Sequence, residues 1–195
     1  MKTLKRSITV LVCLILFVSC TKSIDGKKER SNIEVRKEIT YYKDKPFTGE
    51  IFKNYENGQL EYKYHYKDGK QDGLLKGYYE NGKLKFRTYW IDGEANGLSY
   101  FYNKYGKLNS KFNYKDGVAN GLSQLYYENG KLKYRENYKD GKLDGLSEKY
   151  YENGKLESRS NYKDGKKNGL YEEYHKNGQL QEKYSFRDGR PVIRN

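Results

Sequence analysis

From Lys43 to Phe186, apolar and polar positions recur every 24 residues without an insertion. The period divides this stretch into six units, 43–66, 67–90, 91–114, 115–138, 139–162 and 163–186, and a half unit at 187–195 follows. A gapless repeat of this size marks an array in which each copy rests on its neighbours. With each unit numbered from 1 to 24, positions 7 and 16 are always Gly and position 18 is always Leu. Position 24 is always aromatic: Tyr66, Trp90, Tyr114, Tyr138, Tyr162 and Phe186. Position 12 is Tyr except in the first unit, which has Asn54. Two Gly-containing turns per unit suit one hairpin and its connection, with strands at positions 8–13 and 17–24. No unit has a Gly-free run of helix length. The predicted fold is therefore all-β: an elongated, twisted single antiparallel sheet of consecutive β-hairpins spanning 41–195.

The alternation also selects a turn. A two-residue Asn-Gly loop would put Tyr at position 12 and Leu at position 18 on opposite faces. A three-residue Glu-Asn-Gly loop, with Gly in the left-handed region, pairs position 13 with position 17. That register is expected to gather positions 8, 12, 18 and 24 on one face. The expectation is a type I turn with a Gly bulge, which requires positive φ at position 16. The second connection, Lys-Asp-Gly-x-x-Asn/Asp-Gly, is long enough to lead each hairpin into the next as an antiparallel neighbour. A lone hairpin is marginal in water, so the units are expected to stand or fall together.

Outside the repeats the pattern changes. Lys2, Lys5 and Arg6 precede an apolar run from Ile8 to Val18, which is too short for a comfortable transmembrane helix. A basic region, a short apolar run and small residues make a secretory signal over residues 1–19. Phe17-Val18-Ser19-Cys20 resembles a bacterial lipobox, with Phe17 where Leu is usual. The resemblance implies cleavage before Cys20 and lipidation of Cys20. Thr21 after the Cys resembles the outer-membrane pattern of Gram-negative lipoproteins. The expected location is the bacterial cell envelope, lipid-anchored at the outer membrane. Lys22 to Glu38 lack an apolar period, so residues 20–40 read as the lipidated Cys and a polar tether.

Composition limits the chemistry. Aromatics are 16% of the chain, Tyr is the commonest of them, and aliphatic residues are scarce beyond the leader, which excludes a large Leu/Ile/Val core. The formal net charge of +13 favours acidic partners without choosing among them. Cys13 and Cys20 cannot make a disulfide framework or a zinc cluster. An enzyme needs a constellation placed once, whereas nearly every polar residue here recurs with the repeat. His65 and His175 stand at different unit positions, and Ser99, Ser123 and Ser147 have no accompanying base. No phosphate loop or calcium loop is present. The expectation is no enzyme, no cofactor, no metal site and no small-molecule substrate.

Binding suits the pattern better. Position 21 is basic in every unit: Lys63, Arg87, Lys111, Arg135, Arg159 and Lys183. Position 13 supplies Tyr55, Tyr79, Tyr127 and Tyr151. Both sets are expected on the face opposite the Leu/aromatic set, as a basic row beside a Tyr row. Arg and Tyr are favoured at protein interfaces.

The connection Tyr138-Lys139-Asp140-Gly141-Lys142-Leu143-Asp144-Gly145 and the turn Asn-Gly resemble the MORN repeat. The Gly two residues before the MORN Trp is replaced by Thr88, Phe112, Glu136, Ser160 or Tyr184. The second Gly of Gly-x-Gly is replaced by Leu75, Ser99, Ser123, Ser147 or Tyr171. With the Tyr-Tyr-Glu-Asn-Gly-Lys-Leu core, these departures resemble the variant repeats of bacterial YwqK-like proteins, which carry an antitoxin label. The resemblance implies an elongated antiparallel sheet used as a binding scaffold, with protein partners, lipid binding and homodimerisation as the family's known modes. The expected function is a membrane-anchored, non-catalytic protein-binding module. The alternatives are an antitoxin or immunity protein and an anionic lipid binder. Export argues against nucleic acid.

Overall fold

A computed structural model describes residues 22–192. The expected signal segment and Cys20 lie outside them. Among the described residues there is no α-helix, and the repeats form one antiparallel meander. In each unit a first strand pairs with the second strand of the same unit, as in Gly73–Tyr78 with Leu84–Ile91. The second strand then pairs with the first strand of the next unit, as Tyr62 with Gly77 and Lys63 with Lys76. Leu at position 18 lies opposite position 12 in all six copies, for example Leu60 opposite Asn54 and Leu180 opposite Tyr174.

The turns follow from their residues. The Tyr79 N–H donates to the Lys83 carbonyl and the Gly82 N–H to the Tyr79 carbonyl, both at 2.8 Å. Position 13 thus pairs with position 17 across a Glu-Asn-Gly loop, as expected, and Gly82 has φ +78°. Asn81 Oδ1 accepts from the Lys83 N–H at 3.1 Å and fixes the loop from within. The other connection is tighter than its length suggests. Its Asp-Gly pair makes a two-residue turn with both φ values positive, Asp68 at +50° and Gly69 at +84°, so that Lys67 faces Lys70. That is the type I′ geometry whose twist matches the flanking strands. Asp tolerates the left-handed region because its short side chain can bond locally.

One expectation about the faces is corrected. In every unit the register shifts by one between positions 11 and 12, as between Gly77/Tyr78 and between Phe101/Tyr102. Position 19 is the extra residue of a β-bulge, such as Lys85 between Leu84 and Phe86. The bulge turns positions 7, 9 and 11 toward positions 24, 22 and 20. Leu at position 8 therefore does not join the aromatic of position 24; it lies on the opposite face with positions 10, 12, 21 and 23. Bulges of this kind strengthen twist and re-aim side chains.

Burial follows the corrected faces. Ile51, Leu75, Thr88, Ser99, Ser110, Ser123 and Ser160, all at positions 9, 20 or 22, are buried on the aromatic face. Rings continue along it, with Phe86, Phe101, Phe112 and Tyr114 spaced 6.3, 6.0 and 6.3 Å apart. The small apolar core sits at the N-terminal end, where Ile24, Phe47 and Ile51 pack with Ile33, Tyr42 and Tyr66.

That core corrects a second expectation. Residues 22–38 are not a tether. Ser23–Asp25 lies parallel along Gly49–Asn54, and Ile33–Arg36 makes a hairpin with Ile39–Tyr42. Ser23–Asp25 covers the first edge of the array, where unpaired N–H and C=O groups would otherwise be exposed, and the hairpin meets the array at a turn, where the Thr40 N–H donates to the Gly69 carbonyl at 2.8 Å. Ile24 was the overlooked signal: one isolated Ile gives no periodicity, yet it fills the core.

Candidate functional site

The two faces carry different chemistry, and the position-10/position-21 face holds the candidate surface. Strand pairing places twelve residues of these two positions in one line across the array. The order is Phe52, Lys63, Lys76, Arg87, Tyr100, Lys111, Gln124, Arg135, Glu148, Arg159, Glu172 and Lys183, each opposite the next. The six basic residues anticipated from the sequence are thus brought together on one face. The sequence reading missed their partners at position 10, because pairing 21 with 10 requires the bulge.

In the last units the line alternates in charge. Arg135 reaches Glu148 at 3.5 Å, Arg159 bonds Glu172 directly, and Lys183 reaches Glu172 at 3.1 Å. The Tyr174 hydroxyl also donates to Glu172, at 2.9 Å. Glu172 is only 4% exposed. The Arg159 guanidinium above all, aided by Tyr174 and Lys183, holds its carboxyl down at about 2. Glu148 similarly accepts from the Tyr150 hydroxyl at 2.9 Å. At the other end Lys63 pairs with Glu50 at 2.6 Å, and His65 Nδ1 lies 3.3 Å from the same carboxylate. Between them Arg87 stacks over the Tyr100 ring at 4.3 Å. Leu146, Leu170, Arg159 and Asn161 line a cleft of about 250 Å³ on this face.

The tyrosines anticipated beside this row lie elsewhere. Lys85 sits over the Tyr79 ring at 5.6 Å and Lys133 over Tyr127 at 5.3 Å, which places position 13 with the bulge residue on the aromatic side. Their hydroxyls are engaged. Tyr55, Tyr79, Tyr127 and Tyr151 donate to the carbonyls of Tyr78, Tyr102, Tyr150 and Tyr174, at 2.8, 2.7, 2.7 and 2.7 Å. Each therefore clamps its own turn to the next unit. Asn at position 15 does the same, as Asn57 to the Glu80 carbonyl at 3.0 Å. Lys at position 17 adds a third link, as Lys131 to Asn153 at 2.8 Å. The recurrence of Tyr, Asn and Lys at these slots is explained by assembly of the array.

Besides a cleft of about 400 Å³ against the N-terminal segment, lined by Ile33, Ile51, Tyr62, Tyr64 and Tyr66 among others, the aromatic face offers two shallow clefts. One, of about 390 Å³, is lined by Leu75, Phe86, Trp90, Phe101 and Tyr114 among others. The other, of about 200 Å³, is lined by Phe112, Leu125, Tyr134 and neighbours. Burial and then Glu136 push the Tyr138 hydroxyl up to about 12, and burial and then Glu173 do the same for Tyr171. Where shifts occur they run away from neutrality: carboxyls fall and Tyr, Lys and Arg groups rise. A general acid or base needs the reverse. Among the described residues no three His, Cys, Asp or Glu side chains are grouped as metal ligands would be.

No curated protein matches the chain. The family model for the MORN repeat variant matches residues 47–68, 71–92, 119–140, 143–164 and 167–188, together more than half of the chain. Each match begins at position 5 of a unit read from the sequence and ends at position 2 of the unit or half unit that follows. The intervening third unit has the same register, with Gly97 opposite Tyr114 and Leu108 opposite Tyr102, but it carries Asn103 and Tyr105 where the matched units have Tyr (His175 in the sixth) and Asn. MORN repeats are non-enzymatic modules that generally bind proteins or lipids, and by sequence match and hairpin geometry alike this chain belongs to the MORN repeat variant family.

Proposed function

We propose that the chain is a non-catalytic, protein-binding scaffold of the bacterial cell envelope, held to the membrane through lipidated Cys20. It engages its partner through the face that carries positions 10 and 21. The observation that supports this reading is the unbroken cross-strand line from Phe52 to Lys183 on one face. A face with Arg and Tyr side chains matches the composition of protein interfaces. The aromatic face, by contrast, uses its rings to cover its own small residues.

Photo-crosslinking tests the reading. A benzophenone amino acid is placed at Gln124 on the proposed face or at Leu125 on the aromatic face, in cells that express the full chain. The expected result is a discrete crosslinked protein from position 124 and none from position 125. Crosslinks from position 125 alone, or from neither, would overturn the reading. The anchor has its own check. Cys20→Ser is expected to abolish metabolic labelling with palmitate, and labelling that persists would remove the lipid from the account.

A further inference from the structure

We infer that the binding site is not the whole basic row but a patch in its first half, built from Lys76, Arg87 and Lys111 with Tyr89, Leu98 and Tyr100. Its partner is an acidic protein segment. The inference rests on the protein-binding reading above and adds its location and chemistry.

The argument starts from charge along the line. From Arg135 onward, bases and acids alternate, and Glu148 and Glu172 neutralise their neighbours. In the first half the alternation fails. Lys63 lies opposite Lys76, and Lys76 lies opposite Arg87. Three bases on three neighbouring strands repel one another, and directly opposed like charges disfavour a sheet. Glu50 relieves only Lys63. Among the described residues no carboxylate pairs with Lys76, Arg87 or Lys111. The fold already uses Glu at position 10 to resolve this repulsion twice, in the fifth and sixth units. The second and third units have Lys76 and Tyr100 there instead.

The surroundings point to a protein. Leu98 is 48% exposed and Tyr89 47% exposed, on neighbouring strands of the same face. Arg87 is exposed, and its guanidinium carbon lies over the Tyr100 ring, 4.3 Å from the centroid. A guanidinium fixed on a ring keeps its edge N–H groups free for a carboxylate. Apolar and aromatic groups beside unpaired bases form a compact interface centre. A membrane surface would instead be met by a stripe of bases along the face, and the second half of this row is self-neutralised.

The test uses the full chain in non-ionic detergent and a fluorescent polyglutamate peptide as probe, with phosphatidylglycerol vesicles as a second probe. Three proteins are compared: the natural chain, Lys76→Glu with Lys111→Glu, and Lys139→Glu with Lys163→Glu as an equal charge change at the turn edge. The patch variant is expected to lose peptide affinity by about tenfold or more while the edge variant changes little. Binding to the natural chain is expected to weaken with salt. Thermal unfolding, followed in parallel, is expected at the same or higher temperature in the patch variant. Equal losses in both variants would reduce the effect to net charge and overturn the inference. Vesicle binding without peptide binding would overturn it in favour of a lipid surface, and binding of neither probe would overturn it outright. A patch variant that loses the peptide yet keeps the crosslink at position 124 would separate this inference from the protein-binding reading, sinking the first alone.

Discussion

The first three units and the last three share one backbone and differ in what it carries. Both halves have the same 13-to-17 turn, the same bulge at position 19 and the same 10-to-21 pairing. The first half holds the apolar core of Ile24, Phe47 and Ile51, the ring series along the aromatic face and unpaired bases on the other. The pair of positions 11 and 19 is common to both halves, Lys53 with Glu61 and Lys149 with Glu157, each at 2.6 Å. The last half differs on the other face, where Glu148 and Glu172 pair with Arg135, Arg159 and Lys183. The difference teaches that the periodic positions specify the ribbon, whereas positions 10 and 22 vary from unit to unit and hold what distinguishes one unit from another.

The largest expected effect separates the halves at a single slot. Gly69 and Gly165 both occupy position 3 with φ near +80°. A Cβ on Gly69 would lie 2.4 Å from Ile39 Cγ2 and 2.8 Å from the Thr40 carbonyl, whereas on Gly165 it would meet only Lys142 Cβ at 3.9 Å. Gly69→Ala is expected to cost about 2–4 kcal/mol in urea unfolding, and Gly165→Ala about 1 kcal/mol. Equal costs would show that the N-terminal cap does not press on the array.

Next is the charged anchor of the last half. Glu172→Gln is expected to cost about 1–2 kcal/mol, since two bases lose their shared carboxylate. Its folded pKa is depressed to about 2 from an ordinary 4.5. The stabilisation is therefore fully present above about pH 4.5 and lost as pH falls through about 2. Acid unfolding curves of the two proteins should differ by a constant amount down to about pH 4.5 and converge near 2. A difference that vanished between pH 5 and 4 would place Glu172 outside the pairing.

A smaller effect concerns the clamps. Tyr127→Phe removes the bond to the Tyr150 carbonyl and is expected to cost about 1 kcal/mol. The third unit has no such clamp, because Asn103 turns its Oδ1 back to the N–H groups of Tyr105 and Lys107. Asn103→Tyr should stabilise by a similar or lesser amount, read as slower hydrogen exchange at the junction of the third and fourth units. The smallest effect is Lys76→Glu, which restores alternation to the charge line. It is expected to raise stability by about 0.2–1 kcal/mol, and a loss of stability would remove the repulsion from the argument.

Much of the ribbon was legible because its constraints are local. Gly at position 16 demands a left-handed turn, and that demand fixed the 13-to-17 pairing. The bulge was not legible, since no residue type marks position 19, which is Glu, Lys, Asn or Gln in different units, yet the extra residue puts position 18 and positions 20, 22 and 24 on opposite faces. With the register one residue off, Leu74 and its counterparts were assigned to the wrong face, and the position-10 partners of the basic row went unnoticed. The Tyr row was misplaced for a related reason: its hydroxyls bond across 23 residues to the next unit, a contact that no pattern within one strand reveals. The cap went unread because Ile24 and Ile33 contribute single side chains rather than a period.

The account depends on positions 10 and 21 sharing one face in consecutive register. Cross-strand proton–proton NOEs on isotopically labelled protein measure that directly. The expected result is a series linking Lys63 with Lys76, Lys76 with Arg87, Arg87 with Tyr100 and Tyr100 with Lys111. Contacts from Arg87 to Leu75 or Gly77 as its direct partner would mean a one-residue slip, scattering the bases over both faces and contradicting the account.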